Sequence, residues 1–325
     1  MGGEAAAVVA VKACAVYEPA IVRAAIEEQL ALLGGVKCFV RSGQRILIKP
    51  NLIVPKGADI PAQTHGEVIY AIAEIVKDAG AVPLVGDSPA WSNTRGCLRA
   101  LGIDERLERL GVQIIQLDRP VRMNIEGANV GISRAALEAD AIINVPKLKA
   151  HQQLGATFVF KNMYGCVCGL GGKEKAYWHF ARGKEYEPFC RIIVGIYQKL
   201  NPVLNLIDGI VAMEGQGPID GNAKPLGYLV AGVDPVACER VCCEMVGFNP
   251  ADLPLLVTAE KMGVGISGDE SITIVGDTFI KPVCSDFKPA IQTPLRFTFP
   301  RICKSIAKQC LILLKGLFCS RRSEG

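Results

Sequence analysis

The sequence predicts an α/β protein: a mostly parallel sheet with helices on both faces, together with a smaller α/β subdomain. Three observations predict it. Short β-branched runs alternate with segments of helical period through the first 150 residues, each run leaves into a polar loop, and no long linker interrupts the pattern. At 325 residues the chain exceeds the roughly 250–300 at which single cores stop growing. Residues 1–295 are therefore expected to form one domain, or two intimate lobes, followed by a distinct tail at 296–325.

The elements follow in order. "AAAVVAVKACAVY" near the start reads as a first strand, because its apolar run lacks the basic flank of a signal peptide. Residues 45–54, "RILIKPNLIV", are a strand and its exit loop, and 64–80 a helix with Thr64 as cap and Gly80 as stop. Strands follow at 81–89 and 112–117, separated by a broken helix, "LRALGIDERLERLG". "RMNIEGANVGISRAAL" predicts a hairpin leading into a short helix, and "DAIINVPKLK" (140–149) one further strand. In the second half, 188–201 is helical and 202–221 is a strand running into a Gly-rich turn. Residues 225–247 are a strand and then a helix with Asp234 as cap, Pro235 at its first position and Gly247 as stop. "DLPLLVTAEKMGVG" gives another helix and 271–277 a last strand.

A net charge of +4, with no basic run interleaved with aromatics, argues against a nucleic-acid partner. The 13 cysteines are scattered, without the regular short spacings of a secreted disulfide scaffold, and read as reduced thiols of a cytoplasmic protein. No stretch reaches the roughly 18 apolar residues needed to cross a bilayer. The tail places Arg296, Arg301, Lys304, Lys308, Lys315, Arg321 and Arg322 among Ile302, Ile306, Leu313, Leu314, Leu317 and Phe318. That amphipathic pattern suits packing back on the domain or peripheral contact with an anionic membrane.

In open α/β sheets ligands bind beyond the carboxyl ends of the strands. Polar residues recur there: Lys49 and Asn51, Asp87 and Ser88, then Lys147, Lys149 and His151, then Asp208 and Glu214. Any one pair can be a turn or a cap; a parallel sheet brings all of them to one end. Lys49, Lys147, Lys149 and Lys161 would line a pocket for carboxylate or phosphate, unless salt bridges to Asp87, Asp208 or Glu214 consume them. Clustering lowers a lysine's pKa, so one of them could serve as a base or Schiff-base nucleophile.

Of the three histidines, His65 reads as a helix cap, while His151 and His179 suit proton transfer or metal ligation. Asp208 and Glu214, before the Gly-rich "GPIDG", could join those histidines around a divalent ion. Cys166 and Cys168 form a C-x-C that matches neither a redox dithiol nor a ferredoxin run. This argues against an iron–sulfur cluster within this chain alone and leaves open one shared with another chain. No P-loop and no G-x-G-x-x-G is present, which argues against NAD.

"ILIKPNL", "VGDSP", "NVPKLKAH" with "KNMYG", "DGIVAMEGQGP" and "AGVDPVACE", in this order over about residues 8–280, resemble the domain-of-unknown-function 362 family of bacteria and archaea. Its members are often fused to a ferredoxin-type domain, so the resemblance implies a ferredoxin-type partner; here the basic tail stands where those cysteines would be. A fainter similarity is to the nickel-pincer lactate racemase family. Lys161 follows His151 at that family's spacing, with Gly155 between, and His179 lies where a later metal-ligating histidine is expected. The similarity implies that Lys161 anchors a cofactor and that the histidines ligate metal or form an acid/base pair.

The expected catalytic residues are thus His151, Lys161 and His179, and the expected binding residues Lys49, Asn51, Asp87, Ser88, Lys147, Lys149 and Asn162. Three functions stay open: an enzyme for a small anionic substrate, isomerase- or racemase-like or linked to redox chemistry; an iron–sulfur accessory protein serving a separate ferredoxin; and a non-enzymatic anion-binding scaffold. A divalent metal is the one cofactor class the residues suggest.

Overall fold

The computed structural model describes residues 6–291, apart from 91, 183–185, 267, 269 and 270; the basic tail expected at 296–325 lies outside the described residues. Chain order begins β1 (Ala7–Ala13), α1 (Pro19–Leu32), β2 (Arg45–Pro50), α2 (Gly66–Asp78), β3 (Val82–Asp87), α3 (Thr94–Ala100), α4 (Asp104–Arg109) and β4 (Gln113–Gln116). The hairpin β5 (Pro120–Ile125) and β6 (Ala128–Ser133) leads into α5 (Arg134–Leu137), then β7 (Ala141–Val145), β8 (Lys147–His151), β9 (Gly155–Thr157) and α6 (Val159–Met163). The remainder is α7 (Glu174–Arg182), α8 (Tyr186–Leu200), β10 (Leu204–Glu214), β11 (Asn222–Gly232), α9 (Pro235–Val246), α10 (Pro254–Lys261) and β12 (Ile272–Gly276).

The main sheet runs β12-β1-β11-β10-β7-β2-β3-β4, and β8 with β9 branches from β10. The pairings β10/β7, β7/β2, β2/β3, β3/β4 and β1/β12 are parallel, whereas β11 is antiparallel to both β1 and β10. β5 and β6 form a separate two-stranded sheet. Side chains alternate along a strand: Ile46 and Ile48 enter an apolar core with Ile69, Ile72 and Val76 of α2, and Leu47 enters the core on the other face with Phe160, Ile193 and Val241. The sheet is thus covered by helices on both faces, which is why its strands read as near-continuous apolar runs.

Two local expectations are corrected. The run 140–149 is two strands, because Pro146 cannot donate to a ladder; beyond it the chain re-pairs along β10, with Lys147 opposite Asp208 and Lys149 opposite Met213. The cap of α2 is His65, as expected of that histidine, and not Thr64: its Nδ1 accepts from the Glu67 amide at 3.2 Å. Thr64 holds the β2 exit instead, its hydroxyl accepting from the Asn51 amide and donating to the Val145 carbonyl. At α9 both expected ends are present: Asp234 accepts from the Ala237 amide at 2.8 Å and Gly247 closes the helix with φ of 70°.

Candidate functional site

Beyond the carboxyl ends of β2, β3 and β7, and along β8, the structure gathers lysines in the interior. Lys147, Lys149 and His151 share one face of β8 because they are two residues apart. Lys49 at the end of β2 is fully buried and donates to Asp87 Oδ1 at 2.8 Å, to the Pro50 carbonyl at 2.7 Å and to Asn162 Oδ1 at 3.3 Å. Lys147 donates to Asp208 at 2.9 Å and to the Tyr17 hydroxyl at 2.7 Å. Tyr17 in turn donates to Asp208 and stacks on His65 with ring centroids 3.6 Å apart. Lys149 is held only by neutral oxygens: Asn51 Oδ1 at 2.5 Å, the Ala62 carbonyl at 2.7 Å and the Pro218 carbonyl at 3.4 Å.

Asn162 is the hub of this cluster. Its amide nitrogen donates to the Lys49 carbonyl and to Asn144, and its oxygen accepts from Asn51 and Lys49. All four of its hydrogen-bonding positions are thereby spent on the protein. Asn162 builds the floor of the site and has no capacity left for a ligand.

Lys161 differs from its neighbours. It projects from α6, is half-buried, and its Nζ lies 4.4 Å from the Tyr164 ring centre with no hydrogen-bond or ion-pair partner among the described residues. Desolvation, reinforced by the charges of Lys175 and Lys49, pushes its ammonium down to about 7. Lys175 of α7, which the sequence reading missed, donates to the Ser88 hydroxyl at 2.8 Å and to the Ser88 carbonyl, and burial lowers its pKa as well. Lys149 is held well below its ordinary pKa, first by burial and then by the charges of Lys161 and Lys147. Of five clustered lysines, two have carboxylate partners and Lys149, Lys161 and Lys175 have none among the described residues.

The histidines complete the wall. His151 Nδ1 accepts from the backbone amides of Gln153 and Leu154, at 3.1 and 3.3 Å, so its proton resides on Nε2. His179 Nδ1 faces Gln153 Oε1 at 2.9 Å; with that oxygen as the acceptor, the His179 proton is on Nδ1 and Nε2 carries the lone pair. Burial, followed by the charge of Lys161, holds both imidazoles well below their ordinary pKa, and hence neutral. The pair therefore offers one donor and one acceptor. Beside them Gln153 Nε2 and Thr157 Oγ1 are buried with no hydrogen-bond partner. Leaving such atoms unmet costs about 1–3 kcal/mol each.

The expected four-residue metal site is not assembled. Asp208 is saturated by Lys147, Tyr17 and the His65 amide, and Glu214 accepts from the Lys288 amide at 2.9 Å and lies 3.8 Å from Lys224. Among the described residues no three His, Cys, Asp or Glu side chains converge as a metal site would require. The thiols expected to share a cluster are both buried, which pushes Cys166 up to about 12 and Cys168 up to about 11. The ten described cysteines are all free, and Cys38 alone of them is exposed. A groove of about 1010 Å³ opens at the opposite end of the strands, lined by Ala7, Leu32, Asn201 and Val264, away from the lysines.

The fold and the strand-end motifs together define an α/β protein of a recognised sequence family. Residues 46–244 match the model of the domain of unknown function DUF362, and the chain belongs to that family. It is 33% identical over 299 residues, 91% of this chain and 92% of the relative, to the thylakoid-associated protein sll1697 of Synechocystis sp.. Among solved structures, the lactate racemase apoprotein from Thermoanaerobacterium thermosaccharolyticum aligns with TM-score 0.46 at 14% identity, covering 73% of this chain and 56% of that one. A structural-genomics structure from Thermotoga maritima aligns with TM-score 0.41 at 14% identity, covering 68% of this chain and 58% of that one. Among the described residues no helix is long and apolar enough to cross a membrane.

Proposed function

We propose that the protein is an enzyme that binds a small carboxylate or phosphate compound at Lys161 and moves a proton on it through His151 and His179. The observation that carries this reading is the unmatched ammonium of Lys161, set beside Lys149, Lys175 and two orphaned polar atoms, Gln153 Nε2 and Thr157 Oγ1. A free lysine beside the unpaired donor Gln153 Nε2 is matched by an anionic acceptor. The complementary protonation of the two imidazoles supports general acid and general base roles, which suits isomerisation at a carbon next to a carboxylate.

Thermal unfolding in the presence of phosphate, oxalate or lactate tests the reading. A ligand at about 100 times its dissociation constant stabilises the native state by about 2.7 kcal/mol. A rise in Tm with at least one of these anions that disappears in Lys161→Met is the expected result. Equal shifts in both proteins would overturn it.

A second reading concerns location. The relative is named as thylakoid-associated, and residues 296–325 carry seven Lys or Arg against one Glu, a composition drawn to anionic lipid. Under this reading the chain works in the cytoplasm at a membrane surface. Flotation with vesicles rich in anionic lipid should recover the full chain and lose a variant ending at residue 295; equal recovery of the two would count against it.

A further inference from the structure

Resting on the anion-pocket reading, we infer that Lys161 is an amine nucleophile that forms an imine with the carbonyl of a 2-oxo acid, whose carboxylate is held by Lys175, the neighbouring lysine that keeps a donor free of the protein. The cluster offers three features that imine chemistry requires. The first is an amine free to attack: Lys161 has no hydrogen-bond acceptor among the described residues, whereas Lys49 and Lys149 each spend three donors on the protein. The second is a reason for that amine to be uncharged in neutral water, which desolvation and the adjacent Lys175 and Lys49 supply. The third is a pair of groups to handle protons at the carbonyl oxygen, and His151 and His179 present opposite tautomers for that purpose.

Phosphate could satisfy the cations but has no electrophile for the amine. A 2-oxo acid has both functions on adjacent carbons, so the anion and the reacting carbon sit within one small molecule.

The step balances without an oxidant or reductant. The nitrogen lone pair adds to the carbonyl carbon, and the oxygen takes a proton to give a carbinolamine. The C–O bond then breaks, oxygen leaves as water together with both original amine hydrogens, and a C=N bond replaces C=O. The imine nitrogen then gains a proton from solvent, restoring a cation where the ammonium stood.

The test is reductive trapping of the full chain with pyruvate or glyoxylate and cyanoborohydride near neutral pH, read by peptide mass mapping. Lys161 should gain a carboxyethyl or carboxymethyl group at least about tenfold faster than exposed Lys37 and Lys288, since a depressed pKa raises the neutral fraction of an amine. Oxalate, an anion without a ketone, should slow that labelling. Lys161→Arg, which keeps the cation, should leave the peptide unmodified and the fold intact by circular dichroism. If oxalate binds the wild type but Lys161 labels no faster than the exposed lysines, the imine is overturned and the anion pocket stands. If neither oxalate nor phosphate binds and Lys161 labels at the surface rate, both are overturned.

Discussion

Replacing Lys161 with methionine removes one charge and keeps a similar unbranched apolar stem, and its effect on stability can be worked out from the site. In the folded chain burial pushes the amine down to about 7, against about 10.4 when unfolded. Between these values the unfolded chain binds a proton that the folded chain does not, so the lysine's contribution makes stability rise with pH across that window. Below it, both states are protonated and the full cost of enclosing the cation is present. Linkage gives a gain of about 2 kcal/mol between about pH 7 and about pH 9 from this one group, and the variant forgoes it. At neutral pH the variant should also be more stable, by about 2–4 kcal/mol, because no ammonium has to be desolvated. Urea denaturation followed by circular dichroism at several pH values, with the difference between the two proteins taken at each, measures both effects. Parallel pH curves with no stabilisation of Lys161→Met would mean that the amine is as well solvated as any surface lysine.

Two further outcomes follow from the same geometry. Asn162→Ala strips partners from Lys49, Asn51 and Asn144 together, and should lower stability by about 2–4 kcal/mol in the same denaturation assay, with no pH dependence of its own. Glu239, on α9, accepts from the Phe160 amide at 3.0 Å, and burial raises its pKa to about 7. Between about pH 4.5 and about pH 7 the unfolded chain has lost this proton and the folded chain keeps it, so wild-type stability should fall by about 3 kcal/mol as pH rises; Glu239→Gln should lack that fall.

The alternation of strands and helices was legible because the sheet is covered on both faces: buried strands read as apolar runs and helices as periodic ones. The break at Pro146 was not, since the apolar pattern continues across it and only tertiary pairing shows that β8 leaves β7 for β10. Lys49, Lys147 and Lys149 were identifiable from their places at strand ends. Their roles were not, because Asp87, Asp208, Asn51 and the backbone carbonyls that satisfy them come from distant parts of the chain. Lys175 and Gln153 were missed for different reasons. The "KEK" around Lys175 looks like a solvated helix face, and a glutamine between two histidines carries no charge signal; its significance is that it fixes a tautomer. Asp208 and Glu214 looked like ligand donors because sequence shows a carboxylate without showing what already neutralises it.

Proton inventory distinguishes a cluster at Lys161 that an anion completes from one that is complete without it. An anion beside the amine favours its charged form, so binding near neutral pH must draw a proton from solvent. Calorimetric titration of oxalate or phosphate into the wild-type protein, in buffers of different ionisation enthalpy, should show uptake of a fraction of a proton or more per anion bound, with Lys161→Met showing weaker binding and less uptake. Binding without proton uptake, or binding that is unchanged in Lys161→Met, would rule out an anion site at Lys161.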